Sequence, residues 1–345
     1  MNRTQVMERI SPMTDLKLRV IDGQHAKVGI NDEVVVLRPG SGSKLIPFTH
    51  DGVESLGKFV GFPVSTTQKL SKPTASNVMT ELLRRKEKFS IFTRDGEVVS
   101  VFRSQQWHQL KVERMLSVLE QTIQLQDYNR VFELEKHVAR IEMVGERREV
   151  IAGSALKNDV VAGGIVVNFS PIGTIAPSIE SYVLRVNCTN GATTPEVAGF
   201  YEYPSGGGGE GDDIWQWFRA NSRKAYNSVT KIARHFERMA EEPISPEDRA
   251  AILDSMLINA GMRGDVAGAV RAEALTHPPT NAWEMMNLIT WGSSHILSEP
   301  KEVVRAQKSV KDFISATTHQ RTCPMCHQSK GGHTLQLTNG DPTNN

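Results

Sequence analysis

The strongest constraint on how this chain folds is a glycine run, Ser205-Gly206-Gly207-Gly208-Gly209-Glu210-Gly211. Glycine at that density has no side chains to bury and maximal backbone freedom, so the run reads as a linker. The apolar pattern changes across it. Before the run, short apolar stretches are punctuated by Asp-Gly, Pro-Gly and Asn-Gly pairs, with helical stretches between them; after it, the period is helical throughout. Mixed elements followed by helices alone predict an α+β fold, with an antiparallel sheet in the N-terminal region and a mostly helical C-terminal region. The expected organisation is a β hairpin or meander over 1–45, an α/β core over 46–204, the linker over 205–212, a helical region over 213–318 and a flexible tail over 319–345.

Within that frame, Leu16 to Ile21 and Glu33 to Leu37 read as strands of one hairpin or meander. Short helices are expected after Thr49 and over about 74–87, and Arg94-Asp95-Gly96 marks a hairpin between Phe89–Phe92 and Val98–Phe102. A helix over 105–124 precedes three strands near 136–151, 158–169 and 179–188. Helices follow near 213–241, 246–260, 263–274, 281–297 and 300–317. Ser245-Pro246 and Asn281-Ala282-Trp283-Glu284 carry the residues of helix starts.

Composition excludes several classes. With 39% hydrophobic and 23% charged residues, the chain can bury a core, which argues against general disorder. Forty basic against 39 acidic residues rule out a uniformly basic nucleic-acid coat, while leaving local segregation of charge open. No run of ~18 apolar residues predicts a membrane span. The first residues lack the apolar middle of a signal peptide. The three cysteines, Cys188, Cys323 and Cys326, make no disulfide framework, so a reducing cytoplasm is the expected compartment.

Two motifs invite chemistry. Gly52-Val53-Glu54-Ser55-Leu56-Gly57-Lys58 has the spacing of a phosphate-binding loop, but Phe59 stands where Ser or Thr should hold Mg²⁺, and Val53 and Leu56 suit an amphipathic helix. Cys323-Pro324-Met325-Cys326-His327, with His319 and His333 nearby, can form a zinc site from Cys323, Cys326, His327 and His333. The spacing completes no finger pattern, and a solvated tail or an intersubunit contact remains the alternative. No nucleophile elbow, zinc-protease motif or dinucleotide fingerprint is present, so catalysis is not the first expectation.

The stretch from 213 to 240 is the most informative. At helical spacing, Ile214, Trp217, Phe218, Ala225, Val229, Ile232, Phe236 and Met239 share one side. Arg219, Arg223, Lys224, Lys231, Arg234 and Arg238 occupy the other, six basic residues against the two acids Asp213 and Glu237 in that stretch. Such a row of cations suits a phosphate backbone. Trp215 and Tyr226 fall near the boundary of the two sides, where an aromatic can stack on an unpaired base. The alternative is an amphipathic helix with a solvated face.

Four blocks carry a resemblance. They are Phe48-Thr49-His50-Asp51-Gly52 through Gly61-Phe62-Pro63; Phe92-Thr93-Arg94-Asp95-Gly96 with Gln106-Trp107; Gly163-Gly164 through Arg185-Val186-Asn187-Cys188-Thr189-Asn190-Gly191; and Trp283-Glu284-Met285-Met286-Asn287-Leu288-Ile289-Thr290. Together they resemble the uncharacterised phage/plasmid-like (YfjQ/YafZ-type) protein family over roughly residues 45–300, with Phe169 where the family often has serine. The resemblance implies a mobile-element origin and no established activity. Its residues also have local readings: Cys188 as a small buried side chain, and Trp283, Asn287 and Thr290 on one helix face as a buried hydrogen-bond network or part of a binding surface.

The leading expectation is therefore single-stranded DNA binding or annealing in recombination, by a homo-oligomer without bond chemistry. The alternatives are a protein-interaction module inhibiting a host factor or defence system, and an enzyme with an unrecognised site.

Overall fold

The computed structural model describes residues 1–29, 33–38, 42–67, 69–103, 110–135, 137–151, 159–171, 175–185, 190–193, 200–204, 213–307, 309–310 and 313. The fold is α+β, with antiparallel sheets and helices through residue 202 and helices alone over 213–307.

Helix α1 (Arg3–Thr14) opens on a capping box between Asn2 and Gln5 and buries Val6, Ile10 and Met13. Strand β1 (Lys17–Asp22) follows, then β2 (Ala26–Val28), β3 (Glu33–Arg38) and β4 (Gly42–Pro47), the last three forming an antiparallel meander. Helices α2 (His50–Val60), α3 (Val64–Thr67) and α4 (Lys72–Arg84) lead to the hairpin β5 (Lys88–Arg94) and β6 (Glu97–Arg103). Asp95 and Gly96 both take positive φ, 50° and 88°, as a two-residue hairpin turn requires.

The strand over 16–21 does not pair with 33–37. Instead β1 pairs antiparallel with β5, in the sheet order β1-β5-β6. Asp22-Gly23 does not turn a hairpin; a Cβ on Gly23 would lie 1.8 Å from the Lys86 carbonyl oxygen, so the chain passes tightly under the end of α4 before starting the second sheet. Ile21, Phe89 and Ile91 are then buried in one cluster with Leu56, Met79 and Leu83 of the helices.

Helix α5 (Val112–Ile123) precedes the larger sheet. Its strands are β7 (Leu125–Glu135), β8 (Val138–Val150), β9 (Val160–Phe169), β10 (Ser178–Arg185), β11 (Asn190–Thr193) and β12 (Phe200–Glu202), in the order β11-β10-β9-β8-β7 with β12 also on β10. Strand β7 has no clean alternation, because its pairing with β8 shifts register three times. From Val161 onward β9 is buried on both faces, which explains its almost unbroken apolar run.

The helical region comprises α6 (Asp213–Asn227), α7 (Val229–Ala240), α8 (Arg249–Ala260), α9 (Gly264–Thr276) and α10 (Ala282–His295), with further helix over 300–307. One face of the sheet, through Ile141, Met143, Ile165 and Val167, packs with α1, α5 and α6 in a single core. Val161 and Val183 extend that face to α7, where Phe236 and Trp283 meet at 4.7 Å between ring centroids. Asn281 caps α10 by accepting the Glu284 N–H; Glu284 reaches back to the Thr280 N–H. Ser245 instead accepts the Asp248 N–H in the turn before α8, which begins at Arg249.

Candidate nucleic-acid interface

The expected single helix over 213–241 is two helices broken at Ser228. The hydroxyls of Ser181 and Ser228 both donate to the Ala225 carbonyl, at 2.9 and 2.7 Å. Side-chain donors inserted into the i to i−4 ladder are a recognised cause of kinks. Ser228 keeps right-handed helical dihedrals, and its N–H still donates to the Lys224 carbonyl. The basic row is thus kinked rather than scattered.

Two glycines bring this pair of helices onto the sheet. A Cβ on Gly163 of β9 would lie 2.8 Å from the Val229 side chain, and one on Gly145 of β8 would lie 2.5 Å from the Tyr226 hydroxyl. With their inner sides held there, Arg219, Arg223 and Lys224 of α6 and Lys231, Arg234 and Arg238 of α7 are all exposed. Strand β8 adds one cation that the sequence pattern missed. The half-buried Arg147 reaches the carbonyls of Tyr226 and Asn227 at the junction of the helices. Its signal in the sequence is the charge density of Glu146-Arg147-Arg148-Glu149. The Glu149 carboxylate accepts from the Thr230 hydroxyl.

The two aromatics expected to stack on bases do not lie on this surface. Trp215 is 8% exposed and Tyr226 7% exposed, both within the core under α6. The Arg114 guanidinium stands 4.7 Å from the Trp215 ring centroid. Tyr226 has the Arg147 guanidinium 5.2 Å from its ring centroid, and its hydroxyl accepts the Arg147 backbone N–H at 2.7 Å. Helix α5 and strand β8 flank α6 and bury the side positions that a lone helix would expose. The half-buried Tyr201 of β12 does meet a cation of the row, with the Lys224 amine 5.9 Å from its ring centroid.

The opposite face of the sheet holds a buried polar cluster. The Glu142 carboxylate accepts from Asn129, Tyr182 and Gln307 at 3.0–3.1 Å and faces the Arg140 guanidinium at 3.6 Å. Arg140 donates to Asn168 and Gln307. Burial, then the Glu142 charge, pushes the Tyr182 hydroxyl well above its ordinary pKa, so it stays neutral and donates. All but Asn129 of these groups are buried, and the hydrogen bonds that join β8 to β7, β9, β10 and the helix over 300–307 make the cluster a structural one that pins register in the sheet.

A second cluster joins two of the sequence blocks. Arg185 forms a bidentate pair with buried Asp159, at 2.8 and 2.9 Å, and the Trp283 indole donates to the same carboxylate at 2.9 Å. Asn287 and Thr290 bond back to carbonyls of their own helix rather than to a ligand-facing network.

The phosphate-loop spacing at Gly52–Lys58 lies wholly within α2. Gly52 is there because its Cβ would lie 2.1 Å from the Val98 carbonyl oxygen. The zinc set of Cys323, Cys326, His327 and His333, with His319, lies outside the described residues, as do Cys188 and the glycine run. Among the described residues, no helix is long and apolar enough to cross a membrane. In class, the chain is an α+β protein whose helical region lays an exposed basic face over an antiparallel sheet. In comparisons with known proteins it matches no family model, no curated protein and no solved structure.

Proposed function

We propose that this protein binds nucleic acid through its phosphate backbone, using the kinked surface of α6 and α7. The observation that carries the reading is that all six cations of the row are exposed on helices anchored from below, with Arg147 beside the kink. Fixed cations release counterions from a polyanion without first ordering their backbone. The burial of Trp215 and Tyr226 changes the mechanism expected from the sequence. Base stacking contributes little, and recognition is by charge, tolerant of sequence. Single-stranded DNA, in annealing or recombination by an oligomer, is the substrate proposed, on the mobile-element origin that the resemblance implies.

The test is binding of labelled single- and double-stranded oligonucleotides across a salt series. With about half of these cations engaged, log affinity should fall against log salt with a slope of about −3. Alanine at Arg223, Lys231 and Arg234 together should reduce that slope by about 2, while Trp215→Phe should leave it unchanged. Absence of binding to either oligonucleotide at low salt would overturn the proposal.

A further inference from the structure

The two small sheets of the N-terminal part treat their edges differently. The β6 edge is closed by α2, whose Ser55 hydroxyl accepts the Val101 N–H at 2.9 Å and donates to the Val101 carbonyl at 3.1 Å. The β2 edge is closed by α4, where Thr80 accepts the Val28 N–H and Ser76 donates to the Val28 carbonyl. Among the described residues, no helix side chain covers strand β1 in this way, and the strand pairs only with β5.

The orientation of β1 follows from one bond. The Lys17 carbonyl accepts from the Thr93 hydroxyl on β5, so Lys17, Arg19 and Ile21 turn their backbone groups inward. Alternation then turns those of Leu18 and Val20 outward. The same two residues carry exposed apolar side chains, Leu18 44% and Val20 61% exposed. Lys17 and Arg19 lie on the other face of the strand and pair with no carboxylate among the described residues.

A second copy of this strand is a poor fit. A two-fold antiparallel pair centred on Arg19 sets Arg19 against itself, and one centred on Leu18 sets Lys17 against Arg19. One centred on Val20 sets Leu18 against the Asp22 carboxylate. Like charges directly opposite are destabilising, and an apolar side chain gains nothing from a carboxylate. We infer that β1 is a docking edge for an extended acidic segment of another protein, which adds as a further antiparallel strand. Its alternate residues are apolar, against Leu18 and Val20, and the residues between them are acidic, against Lys17 and Arg19. Backbone pairing supplies affinity and the side-chain alternation supplies selectivity. This surface is independent of the basic helices.

Fluorescence anisotropy of the full chain with two labelled peptides tests it. One peptide alternates valine with glutamate and the other valine with lysine. The glutamate peptide should bind and the lysine peptide should not. Arg19→Glu should weaken the glutamate peptide by about tenfold and let the lysine peptide bind, a reversal that only a folded protein can give. Alanine at Arg223, Lys231 and Arg234 should leave the peptide affinity unchanged, which separates the edge from general attraction to the basic helices. Equal binding of both peptides, no binding of either, or indifference to Arg19→Glu would overturn the inference. So would a dimer in sedimentation that Val20→Lys dissolves, since the edge would then belong to a second copy.

Discussion

Glycines in this protein do two different jobs that the sequence does not distinguish. Gly61 ends α2 with φ 75° and has nothing within 4 Å of a built Cβ, so it is needed for its backbone conformation alone. Gly145 is needed for space, with the Ile123 carbonyl oxygen 2.4 Å and the Tyr226 hydroxyl 2.5 Å from a Cβ. Gly61→Ala should therefore cost about 1 kcal/mol from the left-handed backbone. Gly145→Ala should cost about 2–3 kcal/mol, because a backbone oxygen cannot step aside and α6 must lift. Urea denaturation of the two variants measures the difference. Equal costs would mean that α6 is not seated on the sheet through this glycine.

Among elements, the legible ones are those whose cause is local. The β5–β6 hairpin follows from Asp95-Gly96, and α2 follows from Thr49 accepting the Gly52 N–H at one end and Gly61 at the other. Strand β7 was not legible, since register shifts break its alternation, and the break at Ser228 depends on a hydroxyl delivered from β10. The Arg140–Glu142 pair stands two positions apart on one face of β8, and Glu142 is fully buried there. Arg140→Leu alone should destabilise by about 3–5 kcal/mol, because it leaves a carboxylate buried without its counter-charge. The double variant Arg140→Leu with Glu142→Leu should cost clearly less than the sum of the single changes. Additivity within about 0.5 kcal/mol would show that the two groups do not act as a pair.

At the scale of the whole molecule, the N-terminal sheets meet the larger sheet at His137. This residue turns β7 into β8 with φ 69°; its Nδ1 accepts from Arg94 of β5 at 3.1 Å, and its Nε2 faces Asp51 of α2 at 3.9 Å. Burial, then the Arg94 charge, pushes the imidazole below its ordinary value of 6.5, against the opposing pull of Asp51 and Glu133. The unfolded chain therefore binds this proton more readily than the native one. The contribution is fully present above pH 6.5 and is lost as pH falls toward and through the depressed native value. Stability measured by urea should drop on the acid side of about pH 6.5, and His137→Asn, which tolerates positive φ, should flatten that limb. An unchanged acid limb in that variant would remove His137 from the contact between the two parts.

The division between sequence and structure follows the range of the forces involved. Periodicity, caps and turn residues act within a few positions, so the chain by itself determined its α+β class, the helical region and the basic row from Arg219 to Arg238. What lies beside a given face is decided by segments far away in sequence. Only tertiary packing could set β1 against β5, bury Trp215 and Tyr226 beneath arginines of α5 and β8, and bring Arg147 to the kink between α6 and α7. A helical wheel tells which residues share a side, but exposure depends on the neighbours that cover its flanks, and those neighbours are chosen by the fold.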